Sequence, residues 1–452
     1  MKTYEIQPTD ENILKTLLED TIGRDKDIRY FIQTLDKLEG HWSISLDSQW
    51  GSGKTFFVKQ TKLVLEAFND NIEKDIDESD VPKIKYVFNN DLGITQSFLP
   101  IYYDAWANDN DEDPILSLIY QITQDIEIYY DIKNLPNFAE IGINICNTLT
   151  GRDFKSLFES LKSVNPLEHL EKEKGLQEEI NEFFNRLIEE RAERLVIFVD
   201  ELDRCKPTYA VRFLERIKHY FANDNIIFVF SINSTELQHT IKRFYGNDFN
   251  AYEYLTKFFN LPISLPEADM SSYYRSINYN DVSQNWYDMI TRAVINYYNF
   301  DIRTISHYLQ QEQMCDFKRL HPSSGDYIPN NVAFRNVSVV FVPIMIGLKI
   351  HDIIAYNRFI RGEAPEILID ILSECEFKEH VGDFLFNKSQ NSWSEIEEDI
   401  RLLYNTIMNF SKLYQYGTKR IGKLEIDNST KNKLLKQAEL ISEQSDLLKE
   451  NK

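Results

Sequence analysis

The decapeptide Leu46-Asp47-Ser48-Gln49-Trp50-Gly51-Ser52-Gly53-Lys54-Thr55 constrains the fold more than any other stretch of this 452-residue chain. It follows the apolar run Trp42-Ser43-Ile44-Ser45-Leu46 and leads into Phe56-Phe57-Val58-Lys59-Gln60, which opens a helix. A strand, a glycine-containing loop ending in Gly-Lys-Thr and then a helix form the context that a phosphate-binding loop requires. Gly51 and Gly53 permit backbone conformations that a Cβ would obstruct, so successive N–H groups can converge on one anion. The helix N-terminus adds partial positive charge, Lys54 can reach β- and γ-phosphates, and the Thr55 hydroxyl can ligate Mg²⁺. One letter departs from G-x-x-x-x-G-K-[ST]: Ser48 stands where the first glycine belongs. The competing reading is a surface loop in which Gly-Ser-Gly-Lys occurs by chance.

A second stretch fits the first. Arg194 to Val199 is a short apolar, β-branched run, as in a strand buried on both faces of a parallel sheet. Asp200-Glu201-Leu202-Asp203-Arg204-Cys205 follows it directly. Asp200 at the strand end can hold Mg²⁺ through water, and Glu201 can polarise an attacking water as general base. Asp203 and Arg204 form either an ion pair that caps the turn or groups that hold it and contact a γ-phosphate. Asn225 to Ile232 is another buried strand, and Asn233 at its tip can position water. Strands alternating with helices give a parallel α/β sheet covered on both faces.

Residues 1–42 are helical, broken by Thr21-Ile22-Gly23-Arg24-Asp25, where Arg24 either lies beside a bound base or is a plain surface arginine. Lys83 to Phe88 and Ser97 to Tyr103 read as strands, the second ending in Asp104-Ala105-Trp106. Asp104 can face the site, whereas Trp106 reads as a packing residue. Residues 130–190 read as a helical insertion on the core. In the C-terminal half, Pro343 marks the first turn of a helix running to Ile360. Arg303 opens another helix, either on its surface or as a lid group over a phosphate. Leu434, Ile441 and Leu448 keep heptad spacing, which allows a partner-binding helix.

Composition excludes several classes. With 72 acidic and 50 basic residues the formal net charge is −22, so bulk nucleic-acid binding is not expected of this chain alone. Cys146, Cys205, Cys315 and Cys375 form no CxxC pair, the pattern of a reduced compartment without a zinc site. The apolar stretch Val337 to Leu348 is shorter than the about 20 residues that span a bilayer. No basic, then apolar, leader opens the chain, so a cytoplasmic location is expected.

These motifs together resemble the KAP family of P-loop NTPases. The resemblance rests on Gln49-Trp50-Gly51-Ser52-Gly53-Lys54-Thr55, Tyr103-Asp104-Ala105-Trp106 and Asp200-Glu201-Leu202-Asp203-Arg204-Cys205-Lys206-Pro207. It extends through the Asn225–Asn233 strand, Tyr252-Glu253-Tyr254-Leu255-Thr256-Lys257 and Phe300-Asp301-Ile302-Arg303. It implies an additional-strand, catalytic-glutamate core at 1–266 and an all-helical C-terminal domain at 267–452. It also implies ATP and Mg²⁺ as ligands. Trp50 to Phe56 and Arg24 would then surround the nucleotide, with Thr55 and Asp200 at the metal. Glu201, Lys54, Asn233 and Arg303 would serve catalysis. Relatives act with protein partners, some in bacterial anti-phage systems, so the expected function is an ATPase switch in such a complex. The alternatives are a nucleotide-dependent scaffold with negligible turnover and, against the charge, a DNA-linked ATPase. Many relatives carry transmembrane helices between these motifs, and this chain has none there.

Overall fold

The computed structural model describes residues 6–72, 76–111, 113–129, 178, 180–189, 191–220, 223–266, 268–277, 285–315, 332–388, 392–413, 417–421 and 424–438. The chain divides into two compact units, Gln7–Ser276 and Ile277–Lys452, the latter joined by Met1–Ile6.

The first unit opens with α1 (Asp10–Leu18), α2 (Asp25–Asp36), β1 (Trp42–Asp47), α3 (Lys54–Phe68), α4 (Val81–Val87), β2 (Phe98–Asp104) and α5 (Pro114–Tyr129). It continues through β3 (Arg194–Asp200), α6 (Pro207–Tyr220), β4 (Ile226–Ile232), α7 (Ser234–Tyr245), α8 (Ala251–Leu255), β5 (Leu261–Ser264) and α9 (Met270–Ser276). The five strands form one sheet in the order β2-β3-β4-β1-β5, and every pair is parallel. An additional strand, β4, therefore separates the phosphate-loop strand from the strand that ends in Asp200. This is the P-loop NTPase fold. Register aligns Asp104 with Asp200, Asp200 with Ser231, and Ser231 with Leu46, so the chemistry-bearing loops leave one edge of the sheet.

Burial on both faces explains the unbroken apolar spelling of β3. Leu195, Ile197 and Val199 join Ile119 and Phe213 on one side. Val196 and Phe198 join Phe57 and Val64 of α3 on the other. Each such side chain contributes about 1.5–3 kcal/mol by leaving water. At the opposite edge, buried Arg194 donates to the carbonyls of Leu38, Gly40 and Asp224 and ties three loops together.

The strand expected at Lys83–Phe88 is instead α4. Ile84 and Phe88 are buried while Tyr86 is 77% exposed, a spacing that a helix can bury on one side and a strand cannot. Pro82 sits in the first turn, where its missing N–H costs no bond. Of the expected insertion at 130–190, residues 180–188 are helical and bury Ile180, Phe183, Phe184 and Leu187. Residues 130–177 of that expected insertion lie outside the described residues.

The second unit comprises α10 (Trp286–Tyr297), α11 (Ile302–Met314), α12 (Val332–His351), α13 (Ile353–Ile360), α14 (Pro365–Glu374), α15 (Val381–Phe386) and α16 (Trp393–Met408). A short α17 (Phe410–Leu413) and α18 (Thr430–Ala438) flank an antiparallel hairpin, β6 (Lys419–Ile421) with β7 (Leu424–Ile426). The unit is thus helical with one small hairpin, not purely helical.

Pro343 lies inside α12 rather than at its start. Dense apolar burial around α12 carries the helix through the missing N–H, and the Tyr308 hydroxyl donates to the Pro343 carbonyl at 2.9 Å. The expected helix to Ile360 is broken at Asp352, whose carboxylate caps α13 by accepting from the Ile354 and Ala355 N–H groups. The window Phe334–His351, with mean hydropathy 1.3, is long and apolar enough to cross a membrane, yet 67% of it is buried within the protein. In α18, Leu434 is buried; Ile441 and Leu448 lie outside the described residues.

Candidate functional site

The loop after β1 turns on two left-handed glycines, Gly51 at φ 81° and Gly53 at φ 87°, and Gly53 is the residue from which α3 springs. Ser48 is not among the residues with positive φ, and its N–H donates to the Ile232 carbonyl at 3.2 Å. A side chain is therefore tolerated where the motif has its first glycine. Lys54 is buried at the base of the loop, its ammonium 2.5 Å from the Ser48 carbonyl and 2.9 Å from that of Gln49. Burial lowers its pKa, against the carboxylates of Asp203, Asp200 and Asp47.

The Ile-Gly-Arg turn packs against this loop. Arg24, 1% exposed, donates from Nη2 to the Ser52 carbonyl at 3.2 Å and stands 3.6 Å from Asp27. It is no plain surface arginine. Among the described residues its Nε and Nη1, the Ser52 Oγ and the Thr21 Oγ1 are buried without a hydrogen-bond partner. Gly23 is left-handed at φ 66°, and a Cβ there would sit 2.6 Å from the Cβ of Asp269. Ile22 reaches over the loop toward Gly53, and Phe56 is half-buried on the first turn of α3.

Asp200 ends β3 almost fully buried, and burial pushes its carboxyl up, opposed by the hydroxyls of Ser231, Thr55 and Tyr102. The Tyr102 hydroxyl donates at 3.1 Å, and the Glu201 N–H donates at 3.0 Å. Glu201 itself adopts a left-handed backbone at φ 61°, an uncommon state for a glutamate that turns it out of the strand line. Burial pushes its carboxyl up to about 7; Arg204 opposes this, while Asp200 and Asp104 add to it. The Asp104 carboxylate accepts the Ala107 N–H at 2.9 Å and so fixes the turn that carries Trp106.

Asp203 does not pair with Arg204. It accepts the Trp50 indole N–H at 2.6 Å, and Arg204 turns back to Glu201 at 2.9 Å. Trp106, expected to be packed, is 51% exposed with Arg204 over its ring. Asn233 uses its side-chain oxygen to cap α7, accepting from the Thr235 and Glu236 N–H groups at 3.1 and 3.3 Å. Arg303 belongs to the second unit, exposed on the first turn of α11 beside a cavity of 510 Å³ shared with His307 and His351. Sequence reasoning missed Tyr102, because a tyrosine two residues before a strand end carries no motif. Its alternation with Tyr103, which turns to Tyr209 and Ser117 on the other face, is the one cue.

The donors suit a nucleotide with a hard cation. Buried groups of Arg24 and Ser52 without a hydrogen-bond partner adjoin the glycine loop, and Lys54 lies at its base. Thr55 at the start of α3 and Asp200 at the end of β3 offer oxygen ligands. Among the described residues no cluster of three His, Cys, Asp or Glu side chains could hold a metal alone. Mg²⁺ commonly keeps waters and takes phosphate oxygens, so two protein oxygens suffice.

The model of the KAP family P-loop domain matches residues 24–310. No curated protein matches the chain. Among solved structures, C. elegans PCH-2 aligns over 88% of this chain and 70% of that chain, at 8% identity and a TM-score of 0.20, too low to bear on the fold.

Proposed function

Because the chain belongs to the KAP family of P-loop NTPases, we propose that it binds ATP with Mg²⁺ and hydrolyses it as a conformational switch. One observation carries the reading: a left-handed glycine loop with Lys54 leaves the same sheet edge as a buried Asp200, and Glu201 follows at that strand end. The loop N–H groups and Lys54 would hold the β- and γ-phosphates, and Arg24 and Phe56 would lie along the nucleoside side of the loop. Thr55 and Asp200 would hold Mg²⁺, Asp200 through water. When bound, Mg²⁺ supplies charge neutralisation on the phosphate oxygens.

Glu201 would accept a proton as the water oxygen bonds to the γ-phosphorus and the bond to the β–γ bridging oxygen breaks, releasing ADP and phosphate. Asn233 would orient that water from the tip of β4. Catalysis here rests on positioning and electrostatics. Protein partners or self-association, in a bacterial anti-phage setting, follow from the resemblance of the motifs.

Lys54→Ala should abolish ATP binding measured by titration calorimetry. Glu201→Gln should bind ATP as the wild type does and lose about 10²–10⁴-fold in phosphate release. Equal steady-state rates in wild type and Glu201→Gln would refute the assignment of the base.

A further inference from the structure

Trp50, Trp106 and Arg204 take no part in the proton transfer proposed for Glu201, yet they meet. The Arg204 Nη1 lies 2.9 Å from both Oε1 and Oε2 of Glu201. Its guanidinium carbon stands 5.9 Å from the ring centre of Trp50 and 5.5 Å from that of Trp106. Trp50 belongs to the phosphate loop and is 42% exposed. Trp106 belongs to the turn after β2, which Asp104 fixes through the Ala107 N–H. Asp203, the neighbour of Arg204, is tied to the same loop by the Trp50 indole and to α7 by the Thr240 hydroxyl at 3.2 Å. Two loops and one helix thus grip one short turn.

We propose that Arg204 is a positioning residue for Glu201, held by Trp50 and Trp106 so that the carboxylate is aimed at its water while the phosphate loop keeps Trp50 in place. The inference rests on the hydrolysis reading above. A glutamate side chain alone samples many rotamers, and the left-handed backbone of Glu201 fixes only where that search begins. An ordinary exposed ion pair orders such a chain weakly. A guanidinium already set against two indoles loses little freedom on pairing, so it can hold the carboxylate in one place. One arginine nitrogen serves both oxygens, so each oxygen keeps a lone pair that can accept a water proton. Misplacement of a base by an ångström costs turnover rather than substrate binding. The indole in the loop makes that placement depend on the loop itself.

The test uses the full chain, with Mg·ATP as the probe. Arg204→Met should lower kcat about 10²-fold while the Kd for ATP stays within about threefold, and Arg204→Lys should recover part of the loss. Trp106→Ala should lower kcat on its own and add nothing in the Arg204→Met background, since both remove one device. Losses that multiply, or a Kd that rises in step with the fall in kcat, would mean a merely structural part and overturn the proposal. Should Arg204→Met fail to fold, the same cycle is run with Arg204→Lys. A wild type that binds ATP without turnover refutes the hydrolysis reading and this role together. Turnover in the wild type that survives in Arg204→Met refutes this role alone.

Discussion

At the scale of single residues, the site is a set of polar groups whose burial is uneven and therefore informative. Lys54, Asp200 and Arg24 are all withdrawn from water, and each is displaced from its ordinary titration range by that withdrawal. Asp25, next to Arg24, shows the same effect at the mouth of α2. Burial first, then the charge and hydrogen bond of Asp20, raise its carboxyl to about 7 from 3.8, against the pull of Arg29. The folded chain then keeps a proton that the unfolded chain loses, so this group's stabilisation is full below pH 3.8 and is lost as pH rises toward 7. Asp25→Asn should accordingly be more stable than wild type at pH 8, with the advantage shrinking at pH 5. Thermal melts at both values check this, and a difference independent of pH would count against it. From sequence, Arg24 could be read two ways. Its contact with Ser52, 28 positions away, settles that it packs against the phosphate loop.

Elements explain why some expectations held and others did not. β3 and β4 were legible because burial on both faces demands near-continuous apolar spelling, and β1, with its buried Ser43 and Ser45, was legible from the glycine loop that follows it. Lys83–Phe88 misled because a short apolar run carries no reliable period, and only the exposure of Tyr86 reveals the helix. Pro343 misled because a proline rule written for solvated helices ignores the packing that holds α12 together. Asn233 sits at a junction of two elements, ending β4 and capping α7. Asn233→Ala should cost about 1 kcal/mol in urea unfolding, whereas Asn233→Asp, which can also cap, should cost almost nothing. If Asn233→Asp keeps stability but loses phosphate release, the amide group orients water in addition to its capping oxygen. Retention of both assigns Asn233 to the cap alone.

For the whole molecule, binding and stability are one quantity. With Glu201→Gln blocking turnover, Mg·ATP at a hundredfold its Kd should stabilise the fold by about 2.7 kcal/mol, read as an upward shift of the melt. Lys54→Ala should show no shift, and an unshifted melt in Glu201→Gln would contradict nucleotide binding. The sequence by itself determined the phosphate loop, the Asp200-Glu201 strand end and the parallel α/β class. Backbone stereochemistry at Gly51 and Gly53 and two-faced burial of short strands are local demands, written in adjacent letters. Only the tertiary structure decided what surrounds them. Trp50 bonds to Asp203 across 153 positions, and Trp106 shares Arg204 with it, because parallel register brings the ends of distant strands to one edge. Adjacent letters do not encode such long-range neighbours, so the grip on Glu201 became visible only once the sheet was assembled.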